Sequence, residues 1–306
     1  MNGREGQEDK TRALRGRVHA VELCNRETAA FTGVADVESF NEEEIVLLTD
    51  LGTIVLVGEG LHIVKLNLDD GVLEAEGRIL AAENAKAGPR IALDGTVFYP
   101  EGGGQPADTG TLTLPDGTVL HVTDVHESEG VLWHTVDALP AGAVEGAVVA
   151  EALDWEGRFD RMQQHTGEHI LSGILHQMFG AENVGFHIGT EAVRMDTSVP
   201  ISAEGLRAAE LAANRIVWQD VPVLITYPTP EELAALTYRS KKEIEGQVRI
   251  VTIPGADVCA CCGTHTATTG QVGQIKILAS ENYKGGVRLS VVCGRRALEA
   301  AQAMRA

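Results

Sequence analysis

Two stretches far apart in the chain carry side chains whose types and spacing suit metal chemistry. The first is Gln164-His165-Thr166-Gly167-Glu168-His169, with its two histidines four positions apart. On an α-helix such residues lie one turn above one another, so both imidazoles project from one face and can reach a single ion. The second is Cys259-Ala260-Cys261-Cys262-Gly263-Thr264-His265, in which Cys261 and His265 repeat that spacing. His165, His169, Cys261 and His265 together offer the nitrogen and sulfur donors that a borderline-soft ion such as zinc (Zn2+) prefers. His176, further along a similar helix face, and Cys259 and Cys262, beside Cys261, compete for places in this set on geometry alone.

Two histidines on one helix face are often only a satisfied polar patch, and it is the remote Cys-x-x-x-His that makes a metal the better reading. Glu168 is a candidate general base, but it lies off the ligand face and is expected to meet solvent or a group behind the ligands. The HxxxH pattern lacks the Glu that follows the first His in HExxH, which disfavours a zincin protease. Neither a G-x-S-x-G elbow, a P-loop nor a dinucleotide fingerprint is present.

The first ligand pair needs a helix, and the sequence predicts one from Asp154, its N-cap, to Phe179, with an apolar stripe of Phe159, Met162, Ile170, Ile174 and Met178. The second pair follows a strand predicted over Gln247 to Ile253. Between them come a β-hairpin over Val184 to Val199, a packing helix over Ser202 to Trp218 (Leu206, Ala209, Ala213, Ile216 and Val217 at helical spacing), a strand over Val221 to Tyr227 and a short helix over Pro230 to Leu236. Strands over Ile275 to Leu278 and Val287 to Val292 and a helix over Arg295 to Met304 follow. Upstream, a strand beginning at Ile91 runs into Gly102-Gly103-Gly104-Gln105, and strands at Thr111 to Leu114, Thr118 to Thr123, Val131 to Val136 and Ala147 to Ala150 predict a small β-barrel-like domain over 85–150. Consecutive glycines permit close backbone approach, so this loop can present N–H groups to a phosphate, a ribose or a carbonyl. Helices and strands mix without regular βαβ alternation, which argues for an α+β fold, with an α+β metal-binding domain over 151–306.

Residues 81–90 read as a turn or linker, and the strand before them, Leu73 to Leu80, belongs either to this barrel or to what precedes it. Residues 19–80 are short β-rich runs, among them Glu44 to Leu48, Thr53 to Val57, His62 to Leu66 and Val72 to Glu76, separated by turn residues. They hold no titratable cluster that suggests chemistry. Residues 1–18 are polar and of mixed charge, read as a flexible arm without a secretory signal.

With 306 residues and 44% apolar composition the chain has room for two or three domains with ordinary cores. Its longest apolar runs fall short of the roughly 18 residues a transmembrane helix needs. Three of its five cysteines crowd into Cys259 to Cys262, which favours a metal role in a reducing cytoplasm over a disulfide framework. The net charge of −19 excludes indiscriminate binding to a phosphate backbone. Since residues 26–83 carry 13 acidic against 3 basic side chains, any nucleic-acid surface must be local and lie elsewhere.

Several motifs in order give residues 85–306 a close resemblance to the AlaX family, the free-standing relatives of the alanyl-tRNA synthetase editing domain. They are Leu93-Asp94-Gly95-Thr96-Val97-Phe98-Tyr99-Pro100-Glu101-Gly102-Gly103-Gly104-Gln105, Phe159-Asp160-Arg161-Met162-Gln163-Gln164-His165-Thr166-Gly167-Glu168-His169, Cys261-Cys262-Gly263-Thr264-His265, Thr269-Gly270-Gln271-Val272-Gly273, and Ser280-Glu281 with Gly285-Gly286-Val287-Arg288. The resemblance implies a zinc-dependent hydrolase that removes serine or glycine wrongly esterified to tRNA(Ala), with His165, His169, Cys261 and His265 as zinc ligands. It also implies Thr96 and Gln105 in the acyl pocket and Gly102, Gly103 and Gly104 near the tRNA acceptor end. Cys262 departs from the synthetase version of the motif, which has Gly there. Arg288 is expected to meet the tRNA within a basic patch that also holds Arg158, Arg161, Lys241, Lys242 and Lys284. Four protein ligands fill a tetrahedron, the arrangement of a structural site, so Thr96 is expected to place the attacking water.

A further stretch, Asn25-Arg26-Glu27, Thr32-Gly33-Val34, Val37-Glu38-Ser39-Phe40 and Gly60-Leu61-His62, resembles the YabP/YqfC family of small sporulation proteins. That likeness implies a β-rich assembly module, capable of supporting a homo-oligomer or an assembly partner, and offers no catalytic residues. Two other readings stay open: a zinc hydrolase of another ester or amide, and a sporulation-associated assembly protein whose zinc is structural.

Overall fold

The computed structural model describes residues 21–24, 28–31, 34–40, 44–49, 52–57, 74–86, 88–240, 246 and 248–304. The chain falls into two units, Met1–Ala75 and Glu76–Ala306. In the first, β1 (Val21–Cys24) pairs with β2 (Thr28–Phe31), and β3 (Val34–Phe40), β4 (Glu44–Thr49) and β5 (Gly52–Val57) form an antiparallel meander. The runs Ile45-Val46-Leu47-Leu48 and Thr53-Ile54-Val55-Leu56-Val57 are the aliphatic, largely β-branched sequences that suit a pleated pair, and they lie opposite one another. The expected arm over 1–18 and the strand over His62 to Leu66 lie outside the described residues.

The second unit opens with a closed six-stranded barrel of β6 (Glu74–Ala85), β7 (Gly88–Leu93), β8 (Gly110–Thr113), β9 (Val119–Ser128), β10 (Val131–Val136) and β11 (Val148–Leu153), in the order β10-β7-β6-β11-β8-β9. Along β9 the period-two alternation buries Leu120 and Val122 and turns Val119, His121 and Thr123 outward. Ile79, Ile91, Phe98, Leu112, Leu120, Val125 and Val149 fill the interior. The expectation of a linker over 81–90 is corrected here. Both flanks are strand, Ala82 opposite Ile91 and Asn84 opposite Pro89, paired out to Ala85 and Gly88. The run Ala81-Ala82-Glu83-Asn84-Ala85 has weak intrinsic strand preference; closure of the barrel on both its edges overrides it.

Helix α1 (Trp155–Phe179) begins where expected, the Asp154 side chain accepting from the Gly157 N–H, and ends at Gly180 in the left-handed region. Its environment differs from a simple amphipathic stripe. Residues 164–175 are buried all round, whereas Met178 is exposed. The helix runs between α2 (Ala203–Gln219, capped by Ser202) and an antiparallel sheet of β12 (Asn183–Ile188), β13 (Val193–Thr197), β18 (Gly286–Cys293) and β17 (Ile275–Tyr283), in that order. Ile170, Leu171, Ile174 and Leu175 pack there with Leu206, Ala209, Met195, Leu289 and Val291. A second sheet joins β14 (Leu224–Thr226), β15 (Ile250–Ile253) and β16 (Asp257–Ala260), with the short α3 (Pro230–Ala235) between β14 and β15 in the chain, and α4 (Gly294–Ala303) closes the described chain. Cys259 is on β16, a strand that the sequence reading does not include. A 3-10 turn at Thr269–Val272 had no periodic signal in the sequence.

Two buried amides fasten these layers. Gln164 on α1 donates to the Cys293 carbonyl at 2.9 Å and accepts from the Cys293 N–H at 2.8 Å, and Asn214 on α2 does the same with Ile275 at 2.8 and 3.0 Å. Glycines set how closely α1 approaches: a Cβ on Gly173 would stand 2.2 Å from the Ala256 carbonyl oxygen, which is backbone and cannot swing aside. Gly173→Ala is therefore expected to cost about 1–3 kcal/mol of stability through overpacking, read as a lower midpoint in urea unfolding; an unchanged midpoint would show the contact to be slack.

Candidate metal centre

Helix α1 delivers two of the expected side chains and the irregular segment after β16 delivers the others. The ligating atoms of His165, His169, Cys261 and His265 all lie within 4.8 Å of one another. The Nε2 atoms of His165 and His265 are each 3.5 Å from Cys261 Sγ. A tetrahedral zinc, with Zn–N near 2.0 Å and Zn–S near 2.3 Å, sets N···S edges of about 3.5 Å. The donors and their spacing fit such an ion.

Each imidazole is held from behind. His165 Nδ1 donates to Gln105 Oε1 at 2.7 Å, His169 Nδ1 to Asp257 Oδ2 at 2.9 Å, and His265 Nδ1 to Thr166 Oγ1 at 3.2 Å. These bonds fix the tautomer that leaves Nε2 lone pairs facing the cluster. Asp257 is itself gripped by Arg239, whose Nε and Nη2 reach its two oxygens at 2.8 Å each. Burial opposes ionisation of Asp257, but the bonds from His169 and Arg239 prevail and keep its carboxyl below the usual range. Without an ion, burial likewise opposes a thiolate at Cys261, and a protonated His169 with N–H bonds from the imidazoles outweighs it and holds the thiol far below its ordinary pKa; a bound zinc would take over that role with the imidazoles neutral. His265 is pushed down to about 3 by burial and by His165, so it is a neutral donor.

The competing ligands separate clearly. His176 is exposed and paired with Glu182 at 2.9 Å. Cys262 is exposed, while Cys259 is buried with its thiol pushed up to about 11, chiefly by desolvation. Cys259 does share a second grouping with His169 and Asp257, but Asp257 has both oxygens engaged.

Gln105, fully buried, sits at the end of the glycine turn. Gly102 and Gln105 exchange backbone hydrogen bonds at 3.1 and 3.0 Å, Gly103 and Gly104 take φ of 61° and 88°, and the Gly104 carbonyl accepts from the Ile188 N–H at 2.8 Å. A Cβ on Gly104 would stand 2.6 Å from the Phe186 carbonyl oxygen, so the turn needs glycine there on both counts. The Gln105 amide also donates to Thr264 Oγ1 at 2.8 Å and accepts from the Thr264 N–H at 3.2 Å. Gln105 thus reaches the metal cluster through His165.

Thr96 is not drawn into that cluster. Its Oγ1 lies 2.8 Å from His134 Nε2 and 2.6 Å from Glu151 Oε2, inside the barrel end. Glu168, instead of facing solvent, is buried and accepts from the Asn183 amide. Arg288 makes a two-pronged ion pair with Asp196, both bonds 2.7 Å, and stacks over the Tyr283 ring at 3.5 Å. Arg158 pairs with buried Asp108, and Arg161 stands 4.0 Å from the same carboxylate. Of the expected basic patch, Arg158 and Arg288 are each paired with a carboxylate inside the fold, and Arg161 stands beside the carboxylate that Arg158 already holds; Lys241 and Lys242 lie outside the described residues. Sequence reasoning missed Asp257, Thr166 and Thr264 behind the ligands and the His134–Glu151 pair. Only Asp257 had a signal, since it stands two residues before Cys259 and so shares a strand face with it.

Because Gln105 fixes His165, Gln105→Ala is expected to lower metal affinity about 10–100-fold. Competition with a chromophoric chelator measures it, and an unchanged affinity would show that His165 is oriented without the amide.

Family models match three segments: the YabP family over residues 15–87, the tRNA synthetases class II (A) over 66–157, and the threonyl and alanyl tRNA synthetase second additional domain over 248–290. Among curated relatives, the alanyl-tRNA editing protein AlaX-L of Pyrococcus horikoshii is 34% identical over 233 residues, which is 75% of this chain and 57% of the relative. The alanine–tRNA ligases of Natronomonas pharaonis and Pyrococcus abyssi are each 39% identical, over 221 and 240 residues, covering 69% and 76% of this chain but 23% and 26% of their own length. The chain thus spans little more than half of one relative and about a quarter of the others. It is a relative of the AlaX alanyl-tRNA editing proteins and of the matching region of alanine–tRNA ligases, joined to a segment of the YabP family.

Proposed function

We propose that this chain is a cytoplasmic aminoacyl-tRNA deacylase that hydrolyses serine, glycine or both from mischarged tRNA(Ala), with zinc at the four-residue cluster. Its similarity to a protein named for alanyl-tRNA editing supports the reaction class. The observation that carries the reading is the joining of the glycine turn to the cluster through one side chain, the Gln105 amide on His165. A purely structural metal would need no such turn beside it.

A zinc ion bound there would supply Lewis acidity toward an ester carbonyl. The chain's own residues provide the surroundings. Gln105, Asp257 and Thr166 hold the three imidazoles with Nε2 inward. Tyr99 donates its hydroxyl to the Gly102 carbonyl at 3.1 Å, and burial, then the nearby Cys261 and Cys262, push its pKa up to about 12, so it stays a neutral phenol against the glycine turn. Arg249 donates to the Cys261 and Gly263 carbonyls at 2.7 and 3.0 Å and fixes the turn that presents the thiolate. Gly263 allows that turn to lie on the imidazole, since a Cβ there would stand 2.0 Å from His165 Cε1. Hydrolysis breaks the ester between the amino acid and the terminal ribose, with water supplying a hydroxyl to the acyl carbon and a proton to the ribose oxygen.

The YabP-family match favours a second role for the N-terminal unit, in self-association or assembly with a protein partner. Among the described residues no helix is long and apolar enough to cross a membrane.

Single-turnover assays with seryl-, glycyl- and alanyl-tRNA(Ala) test the main reading. Rapid loss of serine or glycine, abolished by chelation and restored by zinc, with alanine retained, is the expected outcome; zinc-loaded protein that leaves all three esters intact would remove the proposal.

A further inference from the structure

The hydrogen-bond inventory at Thr96 is short by one proton if its neighbours are in their ordinary states. His134 Nδ1 is 3.1 Å from the Ile91 carbonyl, which can only accept, so Nδ1 carries the hydrogen and Nε2 of the neutral ring is an acceptor. Thr96 Oγ1 contacts that Nε2 at 2.8 Å and Glu151 Oε2 at 2.6 Å, while the Phe98 N–H donates to Oγ1 at 3.2 Å and the Val97 N–H to Oε2 at 3.1 Å. If Glu151 were ionised, the single threonine hydrogen would have to serve two acceptors. One more proton satisfies every contact: a Glu151 O–H donates to Thr96, and Thr96 donates to His134.

That proton belongs on Glu151 and not on His134. Glu151 is 1% exposed, and its other oxygen, Oε1, is buried with no partner; an unpartnered carbonyl oxygen costs far less than an unpartnered carboxylate oxygen. Gly77 on β6 closes that side, where even a Cβ would come within 2.9 Å of Oε1. His134 is fully buried, its pKa pushed down to about 4 by desolvation. Burial also pushes Glu151 up to about 7, against its hydrogen bonds with Thr96 and the Val97 N–H and aided by the nearby Asp94. The threonine oxygen then accepts two hydrogen bonds and donates one, which exhausts its capacity.

We propose that Glu151 is a neutral carboxylic acid which, with His134, holds Thr96 as a positioning residue for the segment 94–105, and that the Thr96 hydroxyl does not touch the substrate. This rests, for its effect on catalysis, on the deacylase reading above. The segment held by Thr96 is the one that turns through Gly102–Gly104 into Gln105 and so onto His165.

Infrared difference spectra of wild-type protein against Glu151→Gln test the proton directly. A carboxylic-acid C=O band is expected at acid pH and should fade as pH rises through about 7; a carboxylate signature throughout would overturn the assignment. In hydrolysis, Thr96→Val is expected to slow seryl- and glycyl-tRNA(Ala) by the same factor, on the order of a hundredfold, while Thr96→Ser stays near wild type. A loss confined to the seryl ester would mean that the hydroxyl touches the serine side chain and would overturn the positioning role. A Thr96→Val protein without a cooperative melt is replaced in this comparison by Thr96→Cys. Wild-type protein that hydrolyses neither ester would end the deacylase reading, and the infrared result would still decide whether Glu151 carries the proton.

Discussion

The cluster of three histidines and Cys261 depends on one buried amide. Gln105 Oε1 accepts from His165 Nδ1 and from the Thr264 N–H, while its Nε2 donates to Thr264 Oγ1. Three elements meet on that side chain: the glycine turn leaving the barrel, the first ligand helix, and the cysteine turn. Leaving such polar groups unpaired inside the protein costs about 1–3 kcal/mol each, so the amide specifies a relative placement as well as contributing to it. Gln164 and Asn214 repeat the device, each exchanging two hydrogen bonds with one backbone residue of a neighbouring strand. An amide presents a donor and an acceptor in a fixed plane, as the backbone does, and can therefore join a helix to a strand edge with no charge to bury.

Around the ligands, charge enters as well. Three imidazoles and a thiol packed with ring centroids 4.6–5.2 Å apart would be an unfavourable group to bury if their protons were free to rearrange. The partners behind them remove that freedom. Asp257 is anionic because the bonds from His169 and Arg239 outweigh its burial, and an anionic Asp257 keeps the hydrogen on Nδ1 of His169. The order of dependence runs from the surface inward, from guanidinium to carboxylate to imidazole to thiolate. Removing an outer member would therefore disturb the donor set while leaving all four ligands in the sequence.

The two ligand pairs share a spacing for different reasons, which explains what the sequence could and could not disclose. His165 and His169 are four apart on a continuous helix, where that interval has a fixed geometric meaning. Cys261 and His265 lie on irregular backbone after β16, where it has none; there Gly263, pressed on His165, and Thr264, held by Gln105, bring thiolate and imidazole together. The strands with alternating or β-branched residues and the two long capped helices were legible for the same local reason. The second half of β6 was not, because Ala-Ala-Glu-Asn-Ala becomes strand only through its barrel neighbours. Nor were the partners behind the ligands, which stand 60, 88 and 99 residues from the histidines they hold.

Several arginines, two of which the sequence reading assigns to a polyanion, are in this fold paired with internal carboxylates. Arg158 holds Asp108, Arg296 holds Asp160, Arg288 holds Asp196 and Arg239 holds Asp257, each with its carboxylate largely buried. These pairs sit where elements cross: Asp108 also accepts from the Tyr99 N–H at 2.6 Å, so Arg158 ties the first turn of α1 to the segment before the glycine turn. Recruiting such an arginine to a phosphate would strand a desolvated carboxylate, a loss larger than an exposed phosphate contact returns. In the deacylase reading proposed above, tRNA recognition by so acidic a chain draws on groups without that internal obligation, such as the backbone N–H groups of Gly103 and Gly104. That requirement gives glycine-rich backbone a reason to stand beside the metal cluster that close packing alone does not.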